Sequence, residues 1–204
     1  MRVRARPAGR LEIEPIDTKP IQSSPEINRQ NPLGKVPVLV RDDGTTLYDS
    51  VVICEYFDSL CPGAGLFPEK GEARWQALRL HALADGLSDA AITVRRESRR
   101  LAGLQWADWA EAHARKLEQT YDLMAGDADV LSSSVTIGHV ALATALEWIA
   151  FRKVGPDFRQ GRSRLADWYD TFARRPSMSV LPPTDCYSTF RSAGISRAEG
   201  IFRF

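Results

Sequence analysis

A breaker-dense segment fixes the gross organisation of this chain. Between Cys61 and Gly71 stand Pro62, Gly63, Gly65, Pro68 and Gly71, a density that ends regular structure and reads as a linker. Ahead of it the sequence has the texture of short strands and turns. Behind it the apolar period becomes helical. The expectation is an α/β unit over residues 1–61, a linker over 62–71, an all-helical unit over 72–184 and a disordered tail over 185–204, beyond Pro182-Pro183.

In the first half, Arg10 to Ile16 alternates, with Leu11, Ile13 and Ile16 against Glu12 and Glu14; that is a half-buried strand. Val36 to Val40 is an apolar run of strand length, interrupted by Pro37. Asp42-Asp43-Gly44 is a hairpin turn signal, and Thr45 to Tyr48 is the partner strand. A helix follows from Val51, with Asp49 or Ser50 suited to cap it. The expected order is strand, loop, strand, strand, helix.

In the second half, Trp75, Leu78, Ala82, Leu83, Leu87, Ala90, Ala91 and Val94 are expected on one face of a first helix. A second runs from Trp106 to Met124 through Trp109, His113, Leu117 and Tyr121. A third, Thr136 to Lys153, is apolar nearly all round and is expected to be the buried central helix. A fourth covers Arg162 to Arg174 with Leu165, Trp168, Tyr169 and Phe172. Thr136 and His139 form the pair that opens the third helix. A protonated His139 would oppose the helix dipole, so His139→Asp is expected to stabilise the chain by roughly 0.5–1 kcal/mol.

Composition excludes several classes. With 44% apolar and 26% charged residues in 204, the chain has ordinary globular values. Its 27 basic residues nearly cancel 26 acidic ones, which leaves no field to gather nucleic acid or an anionic membrane. No stretch approaches the roughly 20 apolar residues that span a bilayer. Cys54, Cys61 and Cys186 stand at no metal-ligand spacing, so the expectation is a reduced, cytoplasmic protein without a metal. The basic start, Met1 to Arg6, lacks an apolar stretch and is no secretory signal; an organelle transit peptide stays open.

The informative segment is Asn31-Pro32-Leu33-Gly34-Lys35-Val36-Pro37-Val38-Leu39. Proline cannot donate to a ladder. A cis bond before Pro37 would turn the Val36 backbone outward, where a peptide-like ligand could pair as an added strand. The alternative is a trans proline on an edge strand. Asp49-Ser50 at a helix N-terminus suits a ligand carboxylate, with Asp49 free for an ammonium group. The alternative there is plain capping. Lys35 could reach a second carboxylate.

These residues carry a resemblance. The segment from Asn31 to Leu39, then Leu47-Tyr48-Asp49-Ser50 and Ile53-Cys54-Glu55-Tyr56, resembles the glutathione S-transferase N-terminal domain. Leu83-Ala84-Asp85-Gly86, Thr136-Ile137-Gly138-His139, and Trp168-Tyr169 followed by Arg175-Pro176 are similar to bacterial members. The resemblance implies a thioredoxin-like domain followed by a helical bundle, α/β plus all-α, paired as a homodimer. It implies that Pro37 is a cis-proline and that the Val36 backbone pairs with the cysteinyl part of glutathione. Asp49 and Ser50 would hold the γ-glutamyl group, and Lys35 the glycine carboxylate. Glutathione enters as co-substrate, with no other cofactor, and its thiolate adds to a small hydrophobic electrophile lying near Ala91 to Arg99. The acid usual at position 139 is here a histidine.

One departure matters. The family begins with a strand and a helix, and the residue that stabilises the thiolate sits between them. The strand is interior, between those at Leu11 and Val36. Only about ten residues precede Leu11, where roughly 20 more would be needed. Met1 to Arg10 resembles at best the end of that helix, so the thioredoxin-like domain reads as incomplete and the catalytic residue as unknown. Three accounts stand: a start placed too far downstream or a truncated product, a substitute strand from residues 2–6, or a non-catalytic relative that binds glutathione or a hydrophobic ligand. Ser23 and Ser24 lie in a loop that nothing places at the sulfur. Cys54 reads as core, Cys61 has no partner charge, and His81 and His113 read as packed or surface residues.

Overall fold

The computed structural model describes residues 2–6, 10–14, 25–60 and 65–179. The chain divides between Gly65 and Leu66 into two units. The expectations for Ile16, Ser23, Ser24, Cys61, Pro182-Pro183 and the 185–204 tail lie outside the described residues.

The first unit carries a four-stranded sheet in the order β2-β1-β3-β4. Its strands are β1 (Arg2–Arg6), β2 (Arg10–Glu14), β3 (Leu39–Val40) and β4 (Thr46–Leu47). β1 pairs antiparallel with β2, Arg2 opposite Glu14 and Arg6 opposite Arg10. It pairs parallel with β3 at Arg2 and Val40. Arg2–Arg6 therefore occupies the interior position as a strand, not as the end of a helix. That is the pairing the substitute-strand account expects, and it gives the facing edges of β2 and β3 their partner.

Helix α1 (Pro25–Gln30) lies where the sequence reads as loop. It is short and buries only Ile27, too little for a period to register. Helix α2 (Ser50–Ser59) follows β4. Leu39 and Ile53 are buried together, with Leu47, Tyr56 and Phe57 packed against them. Both ladder strands are shorter than the apolar runs that announce them. The β3–β4 turn is closed by Arg41 N–H donating to Thr45 C=O at 2.9 Å and Gly44 N–H to Arg41 C=O at 3.0 Å. Gly44 takes φ +81° there, a region that suits glycine. The Thr45 hydroxyl and N–H both donate to the Asp43 carboxylate, at 2.6 and 2.9 Å, and hold its pKa below the usual carboxylate value.

The second unit is helical: α3 (Gly71–Ser98), α4 (Ala107–Gly126), α5 (Ala128–Ser132), α6 (Ile137–Arg152), α7 (Ser163–Ala173) and α8 (Pro176–Ser179). A short 3-10 turn, Ala102–Leu104, precedes α4. Helix α6 is buried along its length at Ile137, Gly138, His139, Leu142, Ala143, Ala145, Leu146 and Ile149, as its all-round apolar sequence requires. Burial of a leucine such as Leu142 or Leu146 contributes about 2 kcal/mol. α6 approaches α3 so closely at Gly138 that a Cβ there would lie 2.7 Å from Leu80 Cβ and 2.8 Å from the Ala77 carbonyl oxygen.

The buried face of α3 is rotated from the expected one. Ala77, Leu80, His81, Ala84, Leu87, Ala90 and Ala91 are buried, while Trp75 is 64% exposed. Small alanines carry that face because the neighbouring helices pack close, which leaves the large indole outside. On α4, His113, Leu117, Tyr121 and Met124 are buried as expected, but Trp109 is exposed and stacks on Trp106, ring centroids 5.5 Å apart. The corner between α3 and α4 is tied by Glu97, which accepts from the Trp106 N–H at 2.7 Å and from Arg100 at 3.0 Å. Among the described residues no helix is long and apolar enough to cross a membrane.

Candidate functional site

The candidate site is the end of the β3–β4 hairpin opposite its turn. Leu39 stands across from Leu47 in the ladder. The same antiparallel register, if continued past the ladder, would set Pro37 level with Asp49 and Val36 level with Ser50. Helix α2 begins at that end. Along the chain Val36, Pro37, Asp49 and Ser50 all lie just past that end of the ladder, and Lys35 adjoins Val36.

Val36 lies outside the ladder and is 43% exposed. Its backbone makes no hydrogen bond to another described residue. The Val36–Pro37 peptide bond is cis, as is Tyr48–Asp49. Lys35 is exposed, and among the described residues its ammonium has no carboxylate partner.

Asp49 is the N-cap of α2. Its Oδ1 accepts from the Val51 N–H at 3.3 Å, and its carbonyl accepts from the Ile53 N–H at 3.1 Å. The exposed carboxylate has capacity left over, since each oxygen has two acceptor sites. Ser50, the first helical residue, is half-buried, and its hydroxyl makes no hydrogen bond to another described residue. The arrangement offers an anionic acceptor, a hydroxyl and the positive end of a helix within one turn. An α-amino acid, with ammonium and carboxylate on one carbon, matches that set. The uncommitted Val36 N–H and C=O match a peptide backbone.

One residue at this end was not singled out from the sequence for a role. Asn31 is 2% exposed, the lowest value among the buried polar side chains of the described residues. Its Oδ1 accepts from the Leu33 N–H at 3.0 Å and its Nδ2 donates to the Lys35 carbonyl at 3.0 Å. Its own carbonyl accepts from the Gly34 N–H at 2.9 Å. The Asn-Pro-x-Gly pattern announces such a turn; the reach to Lys35 is visible only in three dimensions.

The other candidates do not join the site. Cys54 is half-buried on α2. His81 sits 3.4 Å from Asp85 on its own helix. His113 places Nδ1 2.9 Å from the Trp109 carbonyl and Nε2 3.3 Å from Lys116 Nζ. Among the described residues no group of three His, Cys, Asp or Glu side chains could hold a metal ion.

Comparison with known proteins bears on the family. The family model "Glutathione S-transferase, N-terminal domain" matches residues 10–60, and "Glutathione S-transferase, C-terminal domain" matches residues 107–171. The chain is 28% identical over 176 residues to the uncharacterized GST-like protein YibF of Escherichia coli, covering 85% of this chain and 87% of that protein. A glutathione transferase family member from Pseudomonas fluorescens, solved with bound glutathione, is 37% identical. Its TM-score is 0.76, with 83% of this chain and 84% of that chain covered. A glutathione S-transferase from Methylobacillus flagellatus with glutathione bound is 34% identical, with a TM-score of 0.74 over 79% of this chain and 83% of that one. An incomplete thioredoxin-like unit, a helical unit following it along the chain, and both halves matched in order lead to one conclusion: the chain belongs to the glutathione S-transferase family.

Proposed function

We propose that this chain binds glutathione at the open end of the β3–β4 hairpin and delivers its thiolate to a small hydrophobic electrophile. The observation that carries the reading is the shared placement of an unpaired Val36 backbone and the Asp49–Ser50 helix start. The Val36 N–H and C=O pair with the cysteinyl residue. Asp49 receives the γ-glutamyl ammonium, and Ser50 with the α2 N-terminus receives its carboxylate. Lys35 meets the glycine carboxylate, and Pro37 holds Val36 clear of the ladder. Glutathione is co-substrate, and no separate cofactor is needed. Residues 1–61 supply the glutathione site, residues 62–71 the linker and residues 72–184 the helical domain. On this reading the protein works in the cytoplasm as a homodimer in detoxification.

A second reading has its own observation. The next described element after the interior strand β1 is β2, with which it pairs antiparallel. Among the described residues no helix start directly follows the interior strand to lower the pKa of a thiol there. That favours a protein that binds glutathione or a hydrophobic ligand without catalysing conjugation. Retention on immobilised glutathione with elution by free glutathione tests binding, and failure to be retained refutes the transferase and leaves of the second reading only a hydrophobic-ligand carrier. Conjugation of an aryl halide separates them: turnover supports the transferase, and binding without turnover supports the carrier.

A further inference from the structure

We propose that Asn31 is a positioning residue that aims the Val36 N–H at the ligand, an inference that rests on the glutathione reading above. The Lys35 carbonyl and the Val36 N–H belong to one planar peptide unit. In a trans peptide these two groups point in opposite directions, so whatever fixes the carbonyl fixes the N–H. Asn31 Nδ2 donates to the Lys35 carbonyl at 3.0 Å, which directs the Val36 N–H away from Asn31.

Asn31 is itself held from three sides. Its N–H donates to the Ile27 carbonyl at 2.7 Å, and its carbonyl accepts from Gly34. Its Oδ1 accepts from the Leu33 N–H. The amide orientation is unambiguous, because Leu33 N–H only donates and Lys35 C=O only accepts. Gly34 completes the loop at φ +63°, where a Cβ would lie 3.0 Å from Asn28 Oδ1. A buried amide with both ends committed inside a tight loop loses little further freedom when ligand arrives.

The test compares wild type, Asn31→Asp and Asn31→Ser. Aspartate keeps the acceptor for Leu33 and loses the donor to Lys35. Serine keeps a short acceptor and cannot reach Lys35, and it serves if the aspartate variant is not recovered folded. Glutathione affinity is measured by calorimetry, and residue-resolved amide shifts by nitrogen-15 NMR during titration. Wild type should shift both the Val36 and Ser50 amides. The variants should bind glutathione about tenfold more weakly, with the Val36 response lost and the Ser50 response retained. Variant affinity equal to wild type overturns the inference. So does joint loss of the Val36 and Ser50 responses, which marks a merely structural role. If wild-type protein does not bind glutathione, the glutathione reading fails, and the inference falls with it.

Discussion

The Thr136 backbone N–H donates to Nδ1 of His139 across 3.1 Å, while Nε2 of the same ring lies 2.9 Å from the Val130 carbonyl. The first contact requires a lone pair on Nδ1, and the second requires a proton on Nε2. The neutral Nε2–H tautomer satisfies both. His139 thus closes a capping box with Thr136 and ties α6 to α5.

That arrangement reverses the expectation drawn from charge alone. Aspartate at 139 would still accept from Thr136 and would suit the helix dipole by up to about 1 kcal/mol. It would lose the bond to Val130, about 1 kcal/mol, and the packing of a buried ring whose centroid lies 6.2 Å from that of Trp168. The losses outweigh the gain, so His139→Asp should destabilise by roughly 1 kcal/mol. A urea midpoint at or above that of wild type would contradict this.

Capping and ligand binding at Asp49 are separable. Asparagine caps helices about as well as aspartate, but it carries no charge for an ammonium group. Asp49→Asn should leave stability within about 0.5 kcal/mol and weaken glutathione binding about tenfold. Unchanged affinity by calorimetry would return Asp49 to a purely structural role.

Tyr121 is fully buried, and its hydroxyl has no hydrogen-bond partner among the described residues. Burial pushes its phenol well above the usual value. The ring is held by Phe158, centroids 6.1 Å apart, and by the Arg162 guanidinium at 5.5 Å; phenylalanine keeps both contacts. Tyr121→Phe should therefore stabilise by about 1 kcal/mol. A lowered thermal midpoint would show that the hydroxyl has a partner that matters.

Glu147 on α6 is half-buried and has no hydrogen bond or ion pair to another described residue. Burial alone raises its pKa above the ordinary glutamate value. A raised acid is favoured in its protonated form by the fold. Its contribution is therefore present below the unfolded-state pKa and is lost as pH rises through the folded-state one. Glu147→Gln should match wild type in acid and exceed it near neutrality, by roughly 0.5 kcal/mol once solvent screening is allowed for. A difference in midpoint that stays flat from pH 4 to about 7 would rule this out.

What the sequence disclosed follows from how each signal is carried. Helix α6 was legible because nearly every side chain is apolar, and so was the hairpin, because Asp42-Asp43-Gly44 must turn. The phase of α3 was not. Trp75 dominates any apolar count, yet Ala77, Ala84 and Ala91 make the contact. The strand at Arg2–Arg6 was weighed as one account among three, because alternating arginines do not announce an interior position. At the site, Val36, Pro37, Asp49 and Ser50 were readable as residue types. Their convergence depends on the Leu39–Leu47 register, and Asn31 acts through a contact four residues along the chain that no local pattern specifies.

The direction of β1 has a practical consequence. Because β1 runs parallel to β3 with Arg2 level with Val40, the chain enters the sheet from the side on which Val36 and Asp49 stand. An affinity handle fused ahead of Arg2 would leave the sheet on that side, the side of the proposed glutathione site. Pull-down and titration results therefore become interpretable once such a handle has been cleaved.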